Sequence, residues 1–240
     1  MRLAISGTAG QGKTTLIKDF LAVWPMYSTP SKSYRDVLVE NNLQHSSNTS
    51  ELAQERILDF MVEQLSKTDK DDNIIFDRCP LDNLVYSLWM NSKDNSIVSD
   101  KFITESIKKM QQSMKYIDII FWIPYSAAIP VVQDGLRDAN VEYIKEIDAL
   151  FKEIYMQSVY NPDFSLLPKG DRPPIIAVTG TRENRIMQIA DYVDLQGSVV
   201  EPDEQFMSQL TSPQGAEQLE QLIKQQKSAL LDETGSIFVG

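Results

Sequence analysis

An α/β fold built on a parallel sheet is what this chain predicts, and two features carry the prediction. Short apolar runs alternate with helix-period segments along most of the 240 residues, as expected of strands joined by crossover helices. The first such strand-to-helix junction also holds the run Gly7-Thr8-Ala9-Gly10-Gln11-Gly12-Lys13-Thr14-Thr15, whose Gly7, Gly12, Lys13 and Thr14 satisfy the G-x-x-x-x-G-K-[ST] pattern of a phosphate-binding loop. Arg2–Ser6 before it reads as a strand. Leu16, Ile17, Phe20, Leu21 and Trp24 after it repeat at helical spacing. Glycines let the backbone close around an anion, and the following helix start presents unpaired N–H groups and a positive dipole end. Lys13 is suited to the outer phosphates, and the Thr14 hydroxyl to Mg²⁺.

The remaining elements follow in order. Met26–Pro30 is a candidate strand, followed by a polar stretch containing Tyr34, Arg35 and Asp36. Asn48-Thr49-Ser50-Glu51 opens a helix that runs to about Ser66, with Leu52, Ile57, Phe60, Met61 and Leu65 as its apolar stripe. Ile74–Phe76 is a strand ending on Asp77-Arg78, and Pro80 stands where the next helix starts. Residues 101–115 read as a helix, Ile117–Ile123 as a strand and Val141–Tyr160 as a helix. Ile175–Val178 is the last strand, running through Thr179-Gly180-Thr181-Arg182 into a helix over Glu183–Val193.

Composition narrows the function. A formal charge of −11 disfavours broad binding to nucleic acid or an anionic membrane, both of which want a basic face. A single cysteine, Cys79, allows no internal disulfide and fits a reducing, cytoplasmic setting. One histidine, His45, cannot support a multi-histidine metal site. No apolar run approaches the ~20 residues of a membrane span, and a strand starting at residue 2 leaves no room for a cleavable signal.

Asp77-Arg78 is the second chemical feature. Ligands of open α/β sheets sit at the carboxyl ends of the strands, the edge that carries the glycine loop. A carboxylate there can hold Mg²⁺, and a neighbouring guanidinium can grip a phosphate. The same pair also suits a plain helix start, with Asp77 as its cap.

Taken together, GTAGQGKTT, IIFDRCPLDNLVYS, DGLRDANVEYIKEID and VTGTRENR resemble the P-loop nucleoside and nucleotide kinases over about residues 1–195. The resemblance is closest to small, often virus-encoded ATP-binding proteins allied to nicotinamide riboside kinases and thymidylate kinases. It implies a P-loop NTPase three-layer sandwich with a five-stranded parallel sheet, an acceptor pocket and a lid at about residues 125–141. ATP and Mg²⁺ are the implied cofactors. Where relatives often have glycine after the Asp-Arg pair, this chain has Cys79, which narrows the space near the phosphates.

On that reading Lys13, Asp77, Arg78 and Arg137 are the catalytic candidates, and Thr14 and Asp77 the metal ligands. Arg137 is the lone cation of Asp134–Asp138, a segment that also reads as a charged surface turn. Gly180, Thr181, Arg182 and Arg185 fall where the resemblance puts an adenine-binding loop, although a simple turn explains the same letters. Arg35, Gln54, Arg56, Asp82 and Tyr86 are candidates for the acceptor pocket. A nucleoside monophosphate acceptor needs cations, available from Arg35, Arg56 and Arg78. A nucleoside or nicotinamide riboside acceptor instead needs a carboxylate base, for which Asp36, Glu40 or Asp77 could serve. A (deoxy)nucleoside monophosphate is the favoured acceptor. A kinase of 5-hydroxymethyluracil-type bases in DNA and a non-kinase nucleotide switch are the rivals. Residues 196–240 form an acidic extension: seven acids and two bases lie between Glu201 and Gly240. Two helix starts, at Pro202 and Ser212-Pro213, are expected there, packing on the domain or on a second subunit of a homodimer.

Overall fold

Strand pairing sets the architecture. The computed structural model describes residues 1–43, 50–94, 96–129, 140–161, 163–167, 170 and 172–200. Four strands, β1 (Arg2–Ser6), β2 (Ile74–Asp77), β3 (Ile119–Trp122) and β4 (Ile175–Ala177), form one sheet in the order β2-β1-β3-β4. Every pairing is parallel, with Leu3 opposite Ile75 on one side and Ile119 on the other. The expected strand at Met26–Pro30 is reduced to one parallel bridge between Ser28 and Ile74, closed by hydrogen bonds from Ser28 N to Asn73 O and from Ile75 N to Ser28 O. Among the described residues, the sheet thus has four laddered strands and the beginning of a fifth.

Both faces of the sheet are covered, which explains why its strands are apolar throughout and not alternating. Leu3, Ile5, Ile75, Ile119 and Phe121 point to one side, where they meet α1 (Lys13–Val23) and α7 (Arg182–Ala190) through Leu16, Phe20, Trp24 and Ile189. Ala4, Phe76, Ile120 and Trp122 point to the other. There α4 (Pro80–Asn91), α5 (Asp100–Ser113) and α6 (Val141–Tyr160) close the third layer with Leu84, Met110, Ile144 and Phe151. α6 has the bounds its periodicity predicts, and Asn140 caps it by accepting from the N–H groups of Glu142 and Tyr143.

Two helices stand beside the sheet at the β2 side. α3 (Glu51–Ser66) is capped by Ser50 Oγ, and its buried stripe is Ala53, Gln54, Ile57, Leu58, Met61 and Leu65; Leu52, expected in that stripe, is half exposed. α2 (Tyr34–Glu40) occupies the stretch read as merely polar. Its local signal is Ser33-x-x-Asp36: the Asp36 carboxylate reaches back to Ser33 N at 2.7 Å, the reciprocal cap that starts a helix. Only Val37 and Leu38 of α2 are buried, too few to give a helical period.

β1 feeds β2 on one side and β3 lies on its other side, so the direction of winding reverses beside β1. A crevice opens there at the carboxyl ends of the strands. Residues 130–139 of the predicted lid, Arg137 among them, and the extension from Glu201 onward lie outside the described residues; Met1–Val199 forms one compact unit.

Candidate active site

The glycine loop bridges β1 and α1, and its shape is dictated by close packing. Gly7 has φ +127°, and a Cβ there would stand 2.4 Å from the Ile123 carbonyl oxygen. Only glycine lets the loop lie so close to the end of β3. The loop is then tied to three helices and to the segment that follows β3. Gly7 N donates to Asp82 Oδ1 of α4 at 3.2 Å, and the Thr8 hydroxyl to the Ile144 carbonyl of α6 at 3.0 Å. Gln11 Oε1 accepts from Ser126 N after β3 at 2.8 Å, and the Gln11 carbonyl from Arg185 Nη1 of α7 at 2.7 Å. Lys13 folds its ammonium inside the loop, donating to the carbonyls of Gly7, at 2.9 Å, and Thr8. Gly12, the residue that precedes α1, is in the left-handed region at φ +82°, and the helix has no side-chain cap and no acid in its first turn. Its first N–H groups therefore face the loop's hollow, the arrangement that receives an anion.

Thr14 and Asp77 meet at the mouth of this hollow, the hydroxyl donating to Asp77 Oδ2 at 3.1 Å. A hydroxyl and a carboxylate so close are hard oxygen donors suited to Mg²⁺, which keeps most of its shell for water and phosphate oxygens. No group of three or more acidic, histidine or cysteine side chains gathers as a metal cage among the described residues. One or two protein ligands are what this ion ordinarily takes.

Arg78 has φ +80°, the left-handed region, which costs a side-chain-bearing residue ~1–3 kcal/mol and must be held by its surroundings. Its Nη1 donates to the Gly7 carbonyl at 3.1 Å and to Asp82 Oδ1 at 3.0 Å, and Nη2 to the Tyr86 hydroxyl at 3.3 Å. The guanidinium carbon lies 5.6 Å from the Tyr34 ring centre and 5.1 Å from that of Tyr86. Burial works against its charge, but Tyr86, Tyr34, Asp82 and Asp77 outweigh that, and its pKa rises above the ordinary value. Burial likewise pushes the Tyr86 phenol upward, against the pull of Arg78, so it remains neutral. The Cys79 thiol is raised by burial and by Asp82, which leaves it protonated and unreactive.

Beyond the loop a cleft of about 970 Å³, part open to solvent, continues towards α2 and α3. Its apolar wall is Leu38, Ile57 and Met61, and Tyr34, Tyr86 and Tyr143 supply aromatic surface. At its side Asn83 Nδ2 donates to Gln54 Oε1 at 2.7 Å and to the Gln54 carbonyl at 3.1 Å. Arg35 lines the cleft with a buried Nε that has no hydrogen-bond partner.

Gln54, Arg35, Tyr86 and Asp82 thus border one cavity with the loop, as do Asp77 and Arg78. Asp82, however, is 1% exposed and spends its carboxylate on Gly7, Arg78 and Cys79. Arg56 does not border the cavity: two residues on from Gln54 in α3, it falls on the far side of the helix and is exposed. Asp36 caps α2, and Glu40 pairs with Lys32 at 2.7 Å, both away from the cleft. Past β4, Thr181 caps α7, and Gly180 precedes it at φ +84°. Arg182 pairs with Asp19 of α1 at the surface, and Arg185 is buried beneath the glycine loop, so neither guanidinium projects freely. The sequence reading missed Asn83, Tyr143 and the use of Tyr34; Ser33-x-x-Asp36 could have placed Tyr34 at a helix start.

A family model described as an AAA domain matches residues 2–173. The chain belongs to that family. No curated protein sequence matches it. Among solved structures, deoxyadenosine kinase from M. mycoides shares 21% identity at a TM-score of 0.55, the match covering 80% of this chain and 97% of that one. NadR protein in complex with NR shares 17% at 0.57, covering 84% of this chain but only 53% of NadR. Thymidylate kinase from Candida albicans shares 15% at 0.54, covering 84% and 95%. The chain therefore shares its fold with these proteins. No helix among the described residues is long and apolar enough to cross a membrane.

Proposed function

We propose that this protein is an ATP- and Mg²⁺-dependent kinase whose acceptor is a nucleoside monophosphate, carried by a kinase domain over residues 1–195 with an acidic extension at 196–240. The observation that carries this reading is the charge lining the cleft beyond the loop. Arg35, with its unpaired Nε, and Arg78 border it, whereas the alternative bases Asp36 and Glu40 turn to other partners. A second anion has cations waiting for it there.

The loop amides and Lys13 would hold the β- and γ-phosphates of the donor. Thr14 and Asp77 would hold Mg²⁺, which when bound neutralises charge between those phosphates. Arg78, fixed by Asp82 and the Gly7 carbonyl, would keep the acceptor phosphate and the transferring group in line. Arg137 of the lid, at about 125–141, would add charge over that group. Catalysis of this kind is positioning and electrostatics, with little covalent work for the protein. Gly180 and Thr181 would border the donor base. A nucleoside acceptor is the second reading: Asp77 borders the cleft and could accept a hydroxyl proton, and two of the similar folds are a deoxyadenosine kinase and a protein bound to NR.

Coupled ADP release with Mg·ATP, run across nucleoside monophosphates, nucleosides and nicotinamide riboside, tests the proposal. The fastest turnover is expected with a monophosphate. A preference for a nucleoside would shift the assignment to Asp77 as base, and no acceptor-dependent release with any of them would overturn the kinase reading.

A further inference from the structure

Arg185 is 5% exposed, yet no carboxylate pairs with it among the described residues. Its neighbour Arg182 has taken Asp19. The guanidinium donates from Nη1 to the Gln11 carbonyl at 2.7 Å, and its Nε is buried without a partner. Burial accordingly pulls its pKa down from the ordinary arginine value. A buried cation without a counter-ion is costly and persists where something offsets it. Nη1 also stands 3.4 Å from where a Cβ of Gly12 would be, so the charge lies directly against the back of the loop.

The hydrogen bond has a geometric consequence. The peptide after Gln11 is planar and trans, so its carbonyl and the Gly12 N–H point in opposite directions. Holding the Gln11 carbonyl towards Arg185 turns the Gly12 N–H the other way, away from α7. Gln11 is gripped a second time through its side chain by Ser126 N, so the residue cannot rotate between Gly10 and Gly12. Both flanking glycines are at positive φ, +76° and +82°, and without these two anchors they would be the freest points of the loop.

We infer that Arg185 is a positioning residue of the donor site: it orients the Gln11–Gly12 peptide, and its counter-ion is the polyphosphate bound on the opposite face of the loop. This rests on the reading that the loop binds a nucleoside triphosphate. It differs from the stacking role that the sequence suggests for an arginine after β4, because the side chain serves the phosphates and not the base.

The test is calorimetric titration of the full chain with inorganic tripolyphosphate and with ATP, each with Mg²⁺, for wild type, Arg185→Met and Arg185→Lys. Arg185→Met should weaken tripolyphosphate binding about tenfold or more, and ATP binding by the same factor. The ligand-free melting temperature should be unchanged or higher, since a buried unpaired charge has been removed. Arg185→Lys, which keeps the charge and can still donate to a single carbonyl but lacks the planar guanidinium fork, should recover part of the affinity. Tripolyphosphate affinity equal to wild type in Arg185→Met would overturn the inference. So would a fall in ligand-free melting temperature with no recovery in Arg185→Lys, the pattern of a structural residue alone. Should Arg185→Met fail to fold, wild-type affinity or none in Arg185→Lys decides: an intermediate value supports the inference, either extreme refutes it. A wild type that binds neither ligand would sink the nucleotide reading itself, and this inference with it.

Discussion

Replacing Asp82 with asparagine probes the joint between the two halves of the site. The carboxylate receives only donors: Oδ1 accepts from Gly7 N at 3.2 Å and Arg78 Nη1 at 3.0 Å, and Oδ2 from Cys79 N at 3.1 Å and Cys79 Sγ at 3.5 Å. An amide has one acceptor and one donor end, so either orientation sets an NH₂ group against a donor. The less costly orientation keeps the carbonyl towards Gly7 and leaves Cys79 N–H, at the start of α4, unsatisfied. It also leaves the Arg78 guanidinium, itself 9% exposed, without its buried counter-charge. Breaking a buried pair of this kind costs ~3–5 kcal/mol. At ~2–4 °C per kcal/mol for a domain of this size, the melting temperature should fall by about 10 °C. Differential scanning calorimetry measures the fall, and ADP-release kinetics should show kcat reduced because Arg78 is no longer held in place. A melting temperature within ~2 °C of wild type would refute the reasoning, since the carboxylate could not then be what neutralises Arg78.

Other perturbations read other parts of the site. Gly7→Ala would force a Cβ against the Ile123 carbonyl at a φ that disfavours side chains, and should lower the urea midpoint by the equivalent of about 3 kcal/mol; an unchanged midpoint would show the loop is not so confined. Arg35→Ala should raise KM for the monophosphate about tenfold without altering KM for ATP, the loss of one charge-assisted bond. Arg56→Ala should change neither constant, because Arg56 lies outside the cleft; equal effects in steady-state assays would undo the pocket assignment. Burial alone would raise the Asp118 carboxyl, but hydrogen bonds from Arg2 N at 2.6 Å and Arg2 Nη2 at 2.9 Å outweigh it and hold its pKa below the usual range. Its stabilisation is therefore complete above the unfolded carboxylate pKa of ~3.9 and is lost as pH falls below that. Chemical denaturation of Asp118→Asn should show a shallower loss of stability below about pH 4 than wild type; identical slopes would refute the pairing.

What could be read from the chain alone was whatever depends on residues close together in sequence. The glycine loop, the strand before it and the helix after it are one local pattern, and α6 shows its full length in the spacing of Tyr143, Ile144, Ile147, Phe151 and Ile154. Asp77-Arg78 could be placed at a strand end for the same reason. Folding decided which of two neighbouring candidate residues enters the site. Gln54 faces the cleft and Arg56 the solvent because they lie about 200° apart around one helix, and only the packing of α3 says which side is inward. Folding also decided partners. Asp82 meets Gly7 across 75 residues, and Arg185 meets Gln11 across 174. Such meetings depend on how α4 and α7 dock against the loop, for which no spacing in the sequence carries a signal.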